Sequence, residues 1–355
     1  MKPHVNIPVF IPHLGCPNQC VFCNQRTISG VEEFRADSVR EIIDTALSTV
    51  KSGQEAEIAF FGGSFTGIDR ALMVSLLDIA KEYIDAGKVS SIRLSTRPDY
   101  INEEIIAILK SYGVKTVELG LQSSSEDVLS LSKRGHGFKE EVAACRMIVD
   151  AGFELVGQMM IGLPGSTLEK ELECADFIIK SGAGGARIYP TVVFYETELC
   201  DMAKSGLYEP LSLEEAVVRC AAVFEKFYEA GVAVIRIGLH ASENLSSQNS
   251  CYGGPNHSAL GELVLNEFFF RRISCELKKY DVTGKTVKIS VAKGALSKAI
   301  GQKQINKKRL TAETSAEVIF SESDTLSNYD FFVEMKGKRD VFKNSRTSRI
   351  QIVPQ

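Results

Sequence analysis

Cys16, Cys20 and Cys23 stand in one short loop with the spacing Cys-x-x-x-Cys-x-x-Cys, and a triplet of thiols that close in sequence is a metal-ligand pattern. Three thiolates ligate three corners of a 4Fe-4S cluster and leave one iron open, much as catalytic metal sites keep a position vacant for a small molecule. A structural zinc held by the same thiolates and His13 satisfies the ligand types as well. Cys145, Cys174, Cys200, Cys220, Cys251 and Cys275 are scattered singly through apolar or helical stretches, which marks them as buried structural cysteines. In a chain of 355 residues that lacks the basic-then-apolar start of a signal peptide, the nine thiols are expected to be reduced and the protein cytoplasmic.

The elements that must position such a loop are legible as alternating strands and helices. The runs HVNIPVFI, EIAFF, SIRLS, TVELGL, FELVGQMMI, GARIY and VAVIRI are β-branched or apolar, and helix-period segments separate them. Helix starts are expected where Ser166 precedes Glu169 and where Ser212 precedes Glu215 by three residues. Six or seven βα units predict an α/β fold with a partial or full parallel (β/α) barrel, and no Gly-x-Gly-x-x-Gly follows the first strand to suggest a dinucleotide fold. GCPNQCVFC, GGSFTG, STRPDY, GLQS, GLPG, YPT and GLH each follow a strand. In a parallel barrel those loops share one rim, so a composite site is expected there.

Composition excludes disorder and a membrane span: 44% of residues are hydrophobic, 24% are charged, and no apolar run approaches the roughly 20 residues that cross a bilayer. Charge is uneven. Residues 281 to 355 hold 14 Lys/Arg against 8 Asp/Glu, while residues 1 to 280 hold 27 against 37, so a basic tail follows an acidic body and suits a polyanionic partner such as RNA.

Cys-x-x-x-Cys-x-x-Cys after the first strand of such a barrel resembles the radical S-adenosylmethionine superfamily. The resemblance implies a 4Fe-4S cluster on Cys16, Cys20 and Cys23, with S-adenosylmethionine chelating the open iron through its amine and carboxylate. It further implies that Phe22 lies against the adenine and that Gly62 and Gly63 let the backbone approach the methionyl amine. The run from STRPDY through SKRGHG, GLPG and RIYPT is similar to the barrel of the catalytic Elongator subunit, over roughly residues 4 to 240. By that likeness Gln122 contacts the cofactor's ribose and Arg134 its carboxylate, and a guanidinium fork suits a carboxylate. Ser95 stands where that family often has a ribose-binding glutamate. Tyr189 and His240 on the same rim are candidate substrate contacts. The superfamily implies an electron donor of the flavodoxin or ferredoxin type. The 75 residues from Asp281 onward are short for the family's acetyltransferase domain, and the first strand begins almost at once, so its basic N-terminal extension is not expected either; acetyl-CoA-dependent modification of tRNA is therefore not inherited.

After the barrel, GPNHSALGELV leads into a helix ending near Tyr280, expected to close the barrel's open side, with His257 and Glu262 as its notable polar residues. The expected division is thus 1–280 and 281–355. In the small α+β appendage, KTVKISV reads as a strand and GALSKAIGQKQINKKRL as two helices about a turn at Gly301, which resembles a KH RNA-binding module with Gln304 in place of the second loop glycine. Lys298, Lys303, Lys307, Lys308 and Arg309 are its candidate phosphate contacts. The function expected is cleavage of S-adenosylmethionine followed by hydrogen abstraction from RNA, in tRNA modification. The alternatives are radical oxidation of a small molecule and a non-enzymatic iron-sulfur or zinc protein that binds RNA.

Overall fold

Ile7, Val9 and Ile11 are fully buried while Pro8 and Phe10 are not, the period of two expected when a strand packs one face against helices and turns the other inward. The computed structural model describes residues 4–12, 14–16, 20–24, 34–239, 251–335 and 342–343. The runs singled out above are all strands: β1 (His4–Ile11), β2 (Glu55–Gly62), β3 (Ser91–Thr96), β4 (Val114–Gln122), β5 (Glu154–Ile161), β6 (Gly185–Pro190) and, after the two-residue β7 (Val193–Phe194), β8 (Ala233–Ile237). They form one seven-stranded sheet in the order β1-β2-β3-β4-β5-β6-β8, every pair parallel. Sequential parallel pairing with helical crossovers is barrel topology, here a partial barrel. β7 pairs antiparallel with β9 (Cys251–Gly253).

Helix starts follow from local chemistry. Asp69, Asn102 and Thr197 accept from the backbone amides three residues on, and Ser212 with Glu215 forms the expected capping box. The expected pair Ser166 and Glu169 is corrected by one residue: Thr167 is the cap, accepting from Lys170 N. The Ser166 hydroxyl instead donates to Glu171 Oε1 (2.9 Å), which also accepts from Gly162 N (2.7 Å), so a buried carboxylate ties down the GLPG turn.

The inward face of the sheet is charged. Glu118, fully buried on β4, accepts from Arg187 at 2.7 and 2.9 Å, from Arg93 at 3.0 Å and from Gln158 at 2.8 Å; Arg93 also reaches Glu57 at 2.8 Å. Tyr189 lies next along the same face, hydrogen-bonded to Arg187, and desolvation raises its phenol above its ordinary pKa.

The chain divides into two compact units, one of residues 1–216 and 226–258 and one of 217–225 and 259–355. In the second, β10 (Thr286–Ala292) pairs parallel with β11 (Glu317–Ser323) and antiparallel with β12 (Phe331–Met335), which carries β13 (Phe342–Lys343). Helices Leu296–Ile300 and Ile305–Thr314 flank the Gly301 turn as expected. The helix Leu260–Leu277 belongs to this unit, so this division differs from the one expected at residue 280 by that helix and by residues 217–225. Its Phe268 packs edge-on to Phe224 (4.9 Å) and Tyr329 (5.9 Å), and those rings explain its place.

Candidate active site at the ends of β1 to β4

The loop after β1 is seated by backbone. Gly63 N donates to Ile11 O (2.8 Å) and Ser64 N to Leu14 O (3.1 Å). A Cβ on Gly63 would stand 2.1 Å from Leu14 O, and one on Gly62, whose φ is +117°, 2.6 Å from Ile11 O; across the contact, a Cβ on Gly15 would meet Ser64 O at 2.2 Å. The glycine pair thus lets the cysteine loop lie directly on the end of β2. The loop's other end is tied by Val21 N to Ser132 O (3.2 Å) and Leu199 N to Val21 O (2.8 Å). Val21 is buried with Val193, Leu199 and Cys200, and Phe22 packs against that cluster.

Cys20 is buried and Cys16 and Cys23 are half-buried. Among the described residues no group of three His, Cys, Asp or Glu side chains converges closely enough to hold a metal ion, so the thiols share the loop without meeting at one point. Cys16 and Cys20 face the same two cations. Arg134 Nη1 lies 3.2 Å and Arg97 Nη1 3.9 Å from Cys20 Sγ. Burial raises the Cys16 thiol, and Arg97 is the strongest charge acting in the opposite sense.

Both guanidiniums are buried and pinned. Arg134 Nη2 donates to Gly120 O; Arg97 holds Asp99 with a two-pronged fork (2.9 and 2.9 Å) and donates to Arg134 O. His136 Nδ1 sits 3.2 Å from Arg97 Nη2 and 3.4 Å from Asp99 Oδ1, and its Nε2 is 3.3 Å from Glu141 Oε1. Hydroxyls join the neighbouring loops: Ser64 and Thr66 both meet Thr96 Oγ1, at 2.7 and 2.6 Å.

Six buried side-chain polar atoms lack a partner among the described residues, and four of them belong to residues of this region: Gln122 Oε1, Ser132 Oγ, Arg134 Nε and Glu141 Oε2. A register slip between Gly120 and Gln122 puts Gln122 in a left-handed conformation (φ 71°), an uncommon choice for a side-chain-bearing residue that re-aims it at the rim. An orphaned guanidinium nitrogen on the arginine that faces Cys20, together with an orphaned amide oxygen at the end of β4, suits a polar cofactor bound next to the cysteine loop. Arg134 Nη1 and Nη2 each hold one partner, Cys20 Sγ and Gly120 O, while Nε holds none among the described residues.

Ser95 and Tyr189 are half-buried on the inward face. His13 and His240 lie outside the described residues. Cys275 is exposed and Cys251 half-buried, so neither is the buried structural cysteine expected; the other four singles are buried, and desolvation pushes the Cys145 thiol up to about 12. In the second unit, Arg309 is committed to structure: its guanidinium lies 3.4 Å from the Phe270 ring centroid and 2.6 Å from Glu267. Lys298 sits 5.8 Å over the Tyr329 ring, Lys307 is half-buried, and Lys303 and Lys308 are exposed. Lys303 and Gln304 take left-handed backbone (φ 51° and 61°), the conformation a loop glycine would supply.

Asp99, His136 and Glu141, together with Arg97, were not singled out from sequence. The signal was Arg-Pro-Asp in a rim loop and the histidine two residues after Arg134. Burial pushes the Glu141 carboxyl up to about 7, against the pull of His136. His136 is raised because the hydrogen bonds it donates to Asp99 and Glu141 outweigh its burial, and Asp99 is held well below the usual range because His136 and Arg97 outweigh its own burial. Glu141 and His136 thus bind protons more tightly folded than unfolded: the Glu141 stabilisation is full below its unfolded pKa of 4.5 and is lost as pH rises through about 7, while that of His136 is full below 6.5 and is lost as pH rises above it. Asp99 acts in the opposite sense, and only in acid. The melting temperature of the metal-free chain should fall from about pH 5 to 8 and stay flatter in Glu141→Gln; equal slopes would refute the assignment.

Residues 10–178 match the Radical SAM superfamily and residues 183–269 the Radical_SAM C-terminal domain. Human Elongator complex protein 3 is 34% identical over 194 residues, which is 53% of this chain and 34% of that protein. A tRNA uridine(34) acetyltransferase of Methanocaldococcus infernus is 35% identical over 127 residues, 35% of this chain and 24% of that protein. The chain spans between about a quarter and half the length of the curated relatives it matches. The solved structure of the archaeal Methanocaldococcus infernus Elp3 with an N-terminal deletion superposes with a TM-score of 0.58 at 21% identity, over 78% of this chain and 64% of that one, a likeness of fold. No helix among the described residues is long and apolar enough to cross a membrane. With two matched domains spanning well over half of its length and a partial barrel that gathers the three cysteines, the glycine pair and two buried arginines at one rim, the chain belongs to the radical SAM superfamily.

Proposed function

We propose that the chain is an RNA-modifying radical enzyme of the Elongator type that holds a 4Fe-4S cluster on Cys16, Cys20 and Cys23 and binds S-adenosylmethionine beside it. The observation that carries the reading is the pair of orphaned buried atoms, Gln122 Oε1 and Arg134 Nε, on the rim that also bears Cys20. When bound, the cluster and cofactor supply a carbon radical that abstracts hydrogen from substrate. The protein's part is orientation. Gln122 accepts from a ribose hydroxyl, Arg134 Nε donates to the carboxylate, the end of β2 at Gly62 and Gly63 backs the methionyl amine, and Phe22 shields the adenine. Ser95, on the inward side of β3, stands by the cofactor's ribose, and Tyr189 faces the substrate from the inward side of β6. Lys298, Lys303, Lys307 and Lys308 supply phosphate affinity from the second unit, and a flavodoxin- or ferredoxin-type donor supplies the electron. RNA as the substrate class rests on the tRNA-modifying relatives and on the basic residues after Asp281.

The test is anaerobic reconstitution with iron and sulfide, then dithionite with and without total tRNA. 5'-Deoxyadenosine should form, rise on adding tRNA and vanish in Cys20→Ala. Its absence, or its persistence in that variant, refutes the radical assignment; a yield indifferent to tRNA displaces RNA in favour of a small-molecule substrate.

A further inference from the structure

Arg97 is the most heavily tethered side chain at the rim. One edge of its guanidinium, Nε and Nη2, is locked onto the Asp99 carboxylate at 2.9 Å, and the remaining nitrogen, Nη1, points at Cys20 Sγ from 3.9 Å. The carboxylate that balances its charge is therefore on the far side of the group from the thiol. His136 braces the pair from Asp99 and Arg97 to Glu141, and Arg134 O caps Nη2. All of these side chains are at least three-quarters buried, so the charge arrangement is poorly screened by solvent. Arg134 adds a second guanidinium at 3.2 Å from the same sulfur.

We propose that Arg97 is a positioning residue that fixes a positive charge and an N–H donor against Cys20, and thereby makes the cluster easier to reduce. The inference rests on the cluster assignment above. Reduction adds one electron to the cluster, taken from the external donor, and the added negative charge is stabilised by a cation held close to a ligand sulfur; hydrogen bonds to the sulfurs and local charge are recognised determinants of such potentials. The Asp99 carboxylate opposes this from behind Arg97. The two residues therefore act with opposite signs, which a scaffold role would not produce.

The experiment is an EPR-monitored redox titration of the anaerobically reconstituted full chain, with iron and sulfide measured on each protein. Arg97→Gln should lower the midpoint potential, so that the fraction reduced at a fixed dithionite potential falls several-fold, and Arg97→Lys, which keeps the charge, should recover most of it. Asp99→Asn, nearly isosteric, should raise the midpoint. Should Arg97→Gln fail to take up iron, the Asp99→Asn protein decides by the sign of its shift. Iron-loaded variants with the wild-type midpoint, or shifts of the same sign in both, overturn the inference alone; a wild-type chain that takes up no iron overturns the cluster assignment and this inference with it.

Discussion

Alanine at Gly63 is expected to lower 5'-deoxyadenosine formation on the order of a hundred-fold, the loss typical when reacting groups are misplaced by about 1 Å. The added Cβ would stand 2.1 Å from Leu14 O, and ordinary contact begins at 3.4 Å, so the cysteine loop must lift from β2 by more than that amount. Backbone supplies the obstruction on the other side, and no rotamer change relieves it. Gly184→Ala is the matched control, since its Cβ would meet Glu154 Oε1 at 3.6 Å. Turnover per bound iron in Gly63→Ala within a few-fold of wild type would show that the loop is not held by this seat.

The second large effect is on stability. Removing the Glu118 carboxylate by alanine leaves Arg93 and Arg187 buried, with Gln158 also losing its acceptor, and is expected to cost about 3–5 kcal/mol in urea unfolding of the metal-free chain. Arg93 keeps Glu57, but Arg187 has lost its carboxylate and is left with the Tyr189 hydroxyl and the face of Phe61 at 5.5 Å. A loss below about 1 kcal/mol would mean that water or a rearranged partner compensates the cations. The exposed Lys81–Asp85 pair, one turn apart on a helix, should hardly matter when broken.

These two sites also mark what could be seen in the sequence. The strands were legible because every one is a short β-branched or apolar run ended by Gly, Pro or a polar turn, and parallel order then follows from the intervening helices. The cysteine loop and the glycines of β2 were legible by type and spacing. The charged interior was not: Arg93, Glu118 and Arg187 sit one apiece inside SIRLS, TVELGL and GARIY, where each looks like a solvent-facing exception to an apolar strand. Only the register, which sets Gln158 opposite Arg187 and lets Arg93, Arg187 and Gln158 meet on Glu118 and Glu57, turns three isolated charges into one network. Arg97 escaped for a related reason. Its meaning depends on a thiol 77 positions earlier and a histidine 39 positions later, separations that no local pattern encodes. Ser166 shows the smaller kind of error, where two adjacent hydroxyl residues compete for a cap and the loser is recruited by a buried carboxylate.

The placement of β1 at the edge of the sheet bears on how the protein is made. Its cysteines leave the ribosome before the glycines that seat them, the arginines that face Cys20 and the Ser132 carbonyl that ties Val21, which come in β2 and in the segments after β3 and β4. Until β2 has emerged, the thiols hang from a strand with no neighbour, and until Arg134 has emerged their loop is not tied at its other end. On the cluster assignment proposed above, iron delivered during translation would meet an unseated, oxidisable peptide, and insertion is best timed after β1 to β4 have paired.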